Sequence, residues 1–154
     1  MVVIDSNIFA KLFIEEPDSV QAKAFFKYCL ENNTPLLAPT LFTYEVLQIA
    51  VYYNHPLENA LQRIEDFSAF NLELAELDRG EWLRVEKMTA SGHEKSGNPA
   101  VYDSSYHCLA IARGQVFLTA DKRHEAKTRQ FGNIKLLAQW PDIFENSGFP
   151  RSRE

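Results

Sequence analysis

Residues 2–5 read VVID, a run of three β-branched residues that ends on an aspartate. A short, continuous apolar run of this kind is typical of a strand that is buried on both faces of a parallel sheet. The pattern recurs at residues 116–121, VFLTAD, where the apolar run again leads to an acid, Asp121. We therefore predict two buried parallel strands that each deliver an aspartate at their carboxyl end.

Helical segments separate these strands along the chain. Helices are predicted at residues 19–31, 40–53, 57–67, 79–90, 99–113 and 122–131. Asn98 and Pro99 are a typical N-cap and first residue for the fifth of these helices. Further strands are predicted at residues 36–38, 71–77 and 134–138. Strands that alternate with helices form a mostly parallel sheet covered on both faces, so we predict an α/β fold.

The composition is that of one ordinary globular domain. The chain has 154 residues, of which 45% are hydrophobic and 24% are charged, enough to bury a core without disulfides or structural metal. We assign residues 1–150 to a single domain and residues 151–154 to a flexible C-terminal tail. Cys29 and Cys108 lie among apolar neighbours, so we expect buried free thiols and no zinc site.

No segment resembles a leader or a membrane span. The chain enters its first strand at Val2 without a basic stretch, and the longest apolar run, residues 46–53, is too short to cross a bilayer. We therefore expect a cytoplasmic protein with no membrane partner.

Four acids are expected to meet at one edge of the sheet. In open parallel sheets the ligand site lies beyond the carboxyl ends of the strands, where Asp5 and Asp121 are predicted. The helix that carries Glu45 begins at the same edge. The helix that carries Asp103 in its early turns runs away from this edge before the chain returns along the next strand. All four carboxylates can therefore reach the same place.

Clustered carboxylates favour a bound cation, because like charges at close range raise one another's pKa. Hard oxygen ligands select Mg²⁺ or Mn²⁺, and such ions suit hydrolysis of phosphodiester bonds by activating a water molecule. Three neutral polar residues lie beside the acids and are expected to orient ligands or water: Ser6, Asn7 and Thr119.

The four acidic motifs together resemble those of PIN-domain nucleases, and among these the VapC-type toxins of toxin–antitoxin pairs. The motifs are VVIDSN at residues 2–7, TYEV at 43–46, VYDSSYHCLAIARG at 101–114 and VFLTAD at 116–121. The resemblance spans nearly the whole chain, and the motifs occur in the order found in the family. Each motif alone is weak, but four in order with matching elements between them are fairly specific.

The resemblance implies a PIN-like three-layer α/β/α domain that acts as a Mg²⁺- or Mn²⁺-dependent endoribonuclease. It further implies cleavage of single-stranded or looped RNA, inhibition of translation, homodimerisation and neutralisation by a cognate VapB-type antitoxin. Asp5, Glu45, Asp103 and Asp121 take the catalytic and metal-ligand roles of the family. Thr119 takes the position of the threonine that precedes the last acid by two residues.

Two departures from the family pattern bear on the site. Ser104 stands where the toxins usually have alanine after the third acid, a change we expect to be tolerated. Many relatives carry a further acid shortly after the last one, but here Lys122, Arg123 and His124 follow Asp121. The number of metal ions is therefore left open at one or two.

The net charge of −5 argues against a broad electrostatic grip on RNA. Contacts with phosphate would have to be local, or the acids would have to surround a metal that reverses the local field. Four basic residues are candidates for local RNA contacts, although such side chains are more often simply solvated: Lys11, Lys95, Lys122 and Arg123.

Each acid also has a purely structural explanation. Asp5 can be a polar strand terminus, Asp121 a helix N-cap, and Asp103 a charge that complements the helix dipole. Glu45 is the hardest to explain in this way, because its helix is mostly apolar. For His107, on the same helix face as Asp103, we favour a structural role over proton transfer.

Two other functions compete with a nuclease. A haloacid-dehalogenase-like phosphatase also ends its first strand on an aspartate, but it needs a second aspartate where this chain has Asn7. The non-enzymatic alternative is a PIN-like module that binds RNA or a protein with little or no cleavage.

Overall fold

A single parallel sheet forms the centre of the computed structural model, which describes residues 1–92, 95 and 97–145. Its strands are β1 (Val2–Ile4), β2 (Leu36–Pro39), β3 (Leu72–Ala75), β4 (Val116–Thr119) and β5 (Ile134–Leu136). They lie in the order β3-β2-β1-β4-β5, and each of the four pairings is parallel. The predicted central parallel sheet is confirmed. The predicted tail at residues 151–154 lies outside the described residues.

Helices cover the sheet to give three α/β/α layers, as predicted. They are α1 (Ser6–Ala10), α2 (Ser19–Glu31), α3 (Leu41–Tyr52), α4 (Leu57–Phe70), α5 (Arg79–Thr89), α6 (Val101–Ala112), α7 (Lys122–Thr128) and α8 (Asp142–Glu145). Short 3₁₀ turns follow α7 at Arg129–Phe131 and β5 at Leu137–Gln139. Among the described residues, none of the helices combines the length and apolar character that a membrane span requires.

One helix was not predicted, and several element boundaries differ from the predictions. β3 spans Leu72–Ala75 where residues 71–77 were predicted, α4 extends to Phe70, and α7 ends at Thr128. α1 was not predicted, because its five residues are too few to show a helical period. The predicted cap at Asn98 is wrong: α6 begins at Val101, and Ala100 occupies the N-cap position with extended backbone angles. The last predicted strand, at residues 134–138, ends at Leu136, where the chain turns into a 3₁₀ helix.

The core lies on both sides of the central strand β1. Val2, Val3 and Ile4 are at most 1% exposed, which is why this strand reads as an unbroken apolar run. On one side Phe9 makes edge-to-face contacts with the rings of Phe26, Phe42 and Phe67. Cys29 and Cys108 are buried and free, as predicted.

The strand order creates a crevice at the carboxyl edge of the sheet. From β1 the chain builds β2 and β3 on one side and then returns to add β4 and β5 on the other. The direction of strand addition therefore reverses between β1 and β4, and ligands of open parallel sheets bind at such a point. Asp5 follows β1 and Asp121 follows shortly after β4, so both acids lie beside this crevice.

Candidate functional site

Asp5 lies at the centre of the acidic site and is only 4% exposed. Its backbone N–H continues the β1–β4 ladder by donating to the carbonyl of Leu118. The Thr119 hydroxyl donates to Oδ2 at 2.7 Å, and the Ser6 hydroxyl lies 3.3 Å from Oδ1. The pKa of Asp5 is raised to about 7, mainly by burial and also by the charges of Asp103 and Glu45. The hydrogen bond from Thr119 opposes this rise.

Glu45 approaches Asp5 from α3 and is held by two hydroxyl groups. The hydroxyl of Tyr106 donates to Oε1 at 2.6 Å, and the Ser6 hydroxyl lies 3.4 Å from the same oxygen. Since Ser6 has one hydroxyl proton and both acids within reach, it donates to one carboxylate at a time. Ser6 therefore links the first acid to the second.

Tyr106 was missed by the sequence reasoning, although it is fully buried beneath the site. Burial raises the pKa of its phenol above the ordinary value, and the nearby charges of Asp5 and Glu45 add to the effect. The signal that could have identified it is its spacing. Tyr106 lies three residues after Asp103 and therefore shares a face of α6 with that acid.

Asp103 is the third residue of α6 and is half-buried. Burial raises its pKa to about 6, and the charges of Asp121 and Glu45 contribute in the same direction. Lys127, on α7, opposes this rise. Asp103 therefore lies within electrostatic reach of two other candidate ligands, as the clustering hypothesis requires.

Asp121 caps α7, so the structural role considered for it is real. Its Oδ1 accepts hydrogen bonds from the backbone N–H groups of Arg123 at 2.9 Å and His124 at 3.1 Å. The backbone N–H of Asp121 in turn donates to the Thr119 hydroxyl at 3.0 Å. The same hydroxyl that donates to Asp5 therefore also positions Asp121. Because both capping bonds end on Oδ1, the cap uses only one of the two carboxylate oxygens.

Asn7 joins α1 to the segment that leads from β4 to Asp121. Its Oδ1 accepts a hydrogen bond from the backbone N–H of Ala120 at 3.3 Å. The three neutral residues predicted beside the acids thus lie there, and each makes a hydrogen bond across the site. Asn7 ties two backbone segments together, whereas Ser6 and Thr119 contact the carboxylates themselves.

His107 and His124 form a buried pair behind Asp121. His107 Nε2 lies 2.7 Å from the carbonyl oxygen of Gly132, and His107 Nδ1 lies 3.3 Å from His124 Nε2. A carbonyl only accepts, so His107 carries its proton on Nε2 and accepts from His124 at Nδ1. Burial lowers the pKa of both rings, that of His124 to about 4. The lowered pKa values favour uncharged rings, and the pair joins α7 to α6, which agrees with the structural role favoured for His107.

The basic residues proposed for RNA contacts differ in their surroundings. Lys11 is 5% exposed, and its ammonium makes ion pairs with Glu16 at 2.8 Å and Asp18 at 2.9 Å. Burial would lower the pKa of Lys11, but these two acids raise it above its ordinary value. Its charge is therefore engaged inside the protein.

The other three candidates, Lys95, Lys122 and Arg123, are exposed, and the last two lie in the first turn of α7 beside Asp121. The sequence reasoning did not select Lys127, whose ammonium lies 3.4 Å from the carbonyl of Asn98 and whose charge acts on Asp103. No local pattern reveals this contact, because it joins α7 to the segment that precedes α6, 29 residues earlier in the chain.

The donor chemistry of the site fits a hard divalent cation, since all four acids offer oxygen. Within residues 1–92, 95 and 97–145, however, no group of three or more His, Cys, Asp or Glu side chains is arranged to hold a metal ion. The structure therefore shows coupled carboxylates held by hydroxyl groups, and it does not show a closed coordination sphere.

The order of strands and helices is that of a PIN-like α/β/α fold, and solved structures share this fold. VapC20 of Mycobacterium tuberculosis, described as a sarcin–ricin loop cleaving toxin, is 8% identical with a TM-score of 0.60 over 76% of this chain and 87% of that chain. VapBC2 of Rickettsia felis, bound to a fragment of its promoter DNA, is 17% identical with a TM-score of 0.63 over 88% and 97%.

A PilT N-terminus domain protein from the archaeon Sulfolobus solfataricus is 16% identical, with a TM-score of 0.52 over 97% of this chain and 98% of that chain. No protein-family model matches the sequence, and no curated protein matches it. At these identities the likeness establishes the fold alone. It confirms the PIN-like architecture that the four motifs predict and the similarity to the fold of VapC-type toxins.

Proposed function

We propose that this chain is a metal-dependent endoribonuclease and the toxin of a toxin–antitoxin pair. The observation that carries the proposal is the electrostatic coupling of Asp5. This carboxyl group is buried at the switch point of the sheet, and the charges of Asp103 and Glu45 raise its pKa further, to about 7. Perturbed carboxyl groups that face a crevice at this place in an α/β fold are typical of a functional site.

In this proposal Asp5, Glu45, Asp103 and Asp121 hold one or two Mg²⁺ or Mn²⁺ ions. Such an ion lowers the pKa of a bound water and offsets the charge of a phosphodiester. The chain's own contribution is to keep the carboxylates oriented and partly shielded from water. The Thr119 hydroxyl holds Asp5, and the Tyr106 hydroxyl holds Glu45.

RNA would be held locally in this proposal. The net charge of −5 disfavours a broad contact with phosphates. Lys122 and Arg123 are exposed at the start of α7, next to Asp121, and in this proposal they meet a phosphate that enters the site. Lys95 is also exposed and stays a candidate, whereas the buried ion pairs of Lys11 do not favour such a role.

The proposed partners follow from the fold and its relatives of known structure. VapC20 is described as a sarcin–ricin loop cleaving toxin, and VapBC2 is described as bound to a DNA fragment from its promoter. We propose that this chain likewise forms a homodimer, binds a VapB-type antitoxin and inhibits translation by cutting RNA in the cytoplasm. Co-expression tests the toxin role: growth arrest that the product of an adjacent small gene relieves would support it.

Cleavage of single-stranded RNA by the purified chain tests the proposed activity. We expect cleavage with Mg²⁺ or Mn²⁺ and none with EDTA. Asp5→Asn should reduce the rate by on the order of 100-fold or more while the circular dichroism spectrum is kept. The matched control is Asp142→Asn, an exposed aspartate on α8, which should cleave like the wild type. Full activity of Asp5→Asn, or no cleavage with any metal, would contradict the proposal.

Assays of the same purified protein distinguish the two alternative functions, a PIN-like module that does not cleave RNA and a phosphatase. RNA binding without cleavage in every metal would favour the non-cutting module. Release of phosphate from small phosphomonoesters would favour the phosphatase. Asn7 argues against the phosphatase, because its side chain is an amide and its oxygen accepts a hydrogen bond from the backbone of Ala120.

A further inference from the structure

A groove of about 270 Å³ lies beside the acidic site, between the first turns of α3 and α6 and the start of α5. Its lining includes the aromatic side chains of Tyr44, Trp82 and Tyr102. These rings are strongly exposed, at 76%, 43% and 62%. Several large aromatic rings exposed around one concavity are unusual for a surface that contacts only water. The groove is therefore a candidate binding surface.

Two helices that carry acids of the proposed catalytic site also contribute residues to the groove. Tyr44 directly precedes Glu45 on α3, and Tyr102 directly precedes Asp103 on α6. Adjacent helical residues point about 100° apart, so each helix presents its acid to the crevice and its tyrosine to the groove. An RNA whose phosphate lies at the acids would therefore place a neighbouring nucleotide at the rings of Tyr44 and Tyr102.

The charge of the groove selects which part of an RNA it can hold. Among the described residues that line it, the one acidic or basic residue is Glu76. A carboxylate repels phosphate, but it accepts hydrogen bonds from the N–H groups on the edge of a nucleobase. Aromatic faces stack on bases of any sequence. The lining thus fits an unpaired base and disfavours the sugar-phosphate backbone.

We propose that Tyr44, Trp82 and Tyr102 form a stacking site for an unpaired nucleobase of the RNA whose neighbouring phosphate meets the acids. This inference rests on the proposed function for the position of the phosphate. It also accounts for how a chain with a net charge of −5 can hold a polyanion, because stacking does not require a basic surface. The occupant is single-stranded, since the faces of paired bases are already stacked in a duplex.

Binding measured in EDTA tests the proposal without requiring cleavage. The probe is a mixed-sequence single-stranded RNA of about ten nucleotides, and the comparison is an abasic ribose-phosphate oligomer of the same length. We expect the RNA, and not the abasic oligomer, to quench the fluorescence of Trp82. The second tryptophan, Trp140, packs half-buried against Phe25 and Tyr28 and should report little change.

Substitution of the groove residues should weaken RNA binding through lost stacking. Tyr44→Ala and Tyr102→Ala should each raise the Kd roughly 5- to 150-fold, the range expected for loss of one aromatic stack. The slope of log Kd against log salt should be unchanged, because no phosphate contact is removed. The matched control is Tyr52→Ala, which removes a tyrosine from the other end of α3 whose exposure, 75%, is close to the 76% of Tyr44.

The outcomes separate this inference from the proposed function. RNA cleavage with unchanged binding in the groove variants would overturn the stacking site and leave the nuclease intact. Stacking with no cleavage in any metal would support the groove and contradict the nuclease. Sedimentation of the wild type and of each variant measures the oligomeric state. If the wild type is a dimer and both Tyr44→Ala and Tyr102→Ala are monomers, a second copy of the chain covers the groove. That result would overturn the proposal.

Discussion

At the scale of single residues, buried hydroxyl groups orient the carboxyl groups of the acidic site through hydrogen bonds. Thr119 donates to Asp5, accepts from the backbone of Asp121 and is fully buried. Its contact with Asp5 joins residues 114 positions apart, so no local spacing could predict it. The acids were expected at one edge because Asp5 and Asp121 follow strands and Glu45 and Asp103 lie in the first two turns of helices. Ser6 and Thr119 were predicted beside the acids because they lie close to Asp5 and Asp121 in sequence. Tyr106 was missed because its contact with Glu45 joins residues 61 positions apart, although its spacing from Asp103 offered a signal.

The Tyr106 hydroxyl is expected to position Glu45 without touching substrate. Tyr106→Phe removes its 2.6 Å hydrogen bond and keeps the ring that stacks on Phe117. We expect the metal concentration for half-maximal RNA cleavage to rise by about 10-fold, with a smaller effect on kcat at saturating metal. Tyr28→Phe, which removes a hydroxyl far from the acids, is the control. Equal metal dependence of the two variants would refute the positioning role.

Ser104 is a residue whose unfavourable effect on the stability of the fold is visible only in the structure. It is fully buried in α6, and its hydroxyl has no hydrogen-bond partner among the described residues. Ser104→Ala should therefore increase the free energy of unfolding by about 1 kcal/mol, because an unsatisfied buried hydroxyl is removed. The adjacent Ser105→Ala should decrease it by a similar amount, since that hydroxyl donates to the carbonyl of Tyr102. Urea denaturation that ranks the two variants in the opposite order would contradict this explanation.

At the scale of elements, the strands were easier to predict than the helix ends. β1 and β4 are buried on both faces and therefore appear as apolar runs that need no tertiary information. α1 escaped prediction because it has only five residues. The start of α6 was misplaced because the chain stays extended through Ala100, two residues beyond Asn98, the cap chosen from its type.

The N-terminus of α5 offers a test of helix capping. Asp78 accepts a hydrogen bond from the backbone N–H of Glu81 at 2.8 Å, and the Glu81 side chain accepts from the backbone of Asp78 at 3.0 Å. Asp78→Ala should lower the free energy of unfolding by about 1 kcal/mol, whereas Asp78→Asn, which keeps an acceptor, should lower it less. Chemical denaturation of both variants measures the difference. Equal stability of the two would argue against the capping box.

At the scale of the whole molecule, the strand order brings distant acids to one crevice. An alternation of strands and helices predicts a parallel sheet, but it does not by itself state which strands are neighbours. The order β3-β2-β1-β4-β5 places the ends of β1 and β4 side by side. Burial at this point is also what makes the acids costly to ionise together, so the site and the stability of the fold are coupled.

This coupling predicts a pH dependence of the metal-free protein. The pKa of Asp5 is raised from an ordinary value near 3.8 to about 7 in the folded protein. The protonated carboxyl group therefore contributes fully to the stability of the fold below pH 3.8, and this contribution is lost as the pH rises through 7. The pKa values of His107 and His124 are lowered, so these rings have the opposite effect on the stability of the fold. Their contribution is present at higher pH and is lost as the pH falls towards 4. The window from about pH 6.5 to 8 covers the titration of Asp5, and comparison with a variant that lacks this carboxyl group removes the contribution of the histidines.

Across that window we expect wild type to lose up to about 1 kcal/mol of unfolding free energy relative to Asp5→Asn, whose amide does not titrate. Denaturant titrations in EDTA at several pH values measure the difference. Parallel pH profiles for the two proteins would contradict the raised pKa of Asp5. Added Mg²⁺ should reduce the loss in wild type, because a bound cation favours the ionised carboxylates.

The most direct test of the proposed nuclease site is the rate of RNA cleavage in Mn²⁺ for four isosteric variants, with Asp142→Asn as control. The variants are Asp5→Asn, Glu45→Gln, Asp103→Asn and Asp121→Asn. If the four acids act as one metal-dependent site, each variant should lose on the order of 100-fold or more, and the control should match wild type. Wild-type cleavage rates in all four variants would contradict the account.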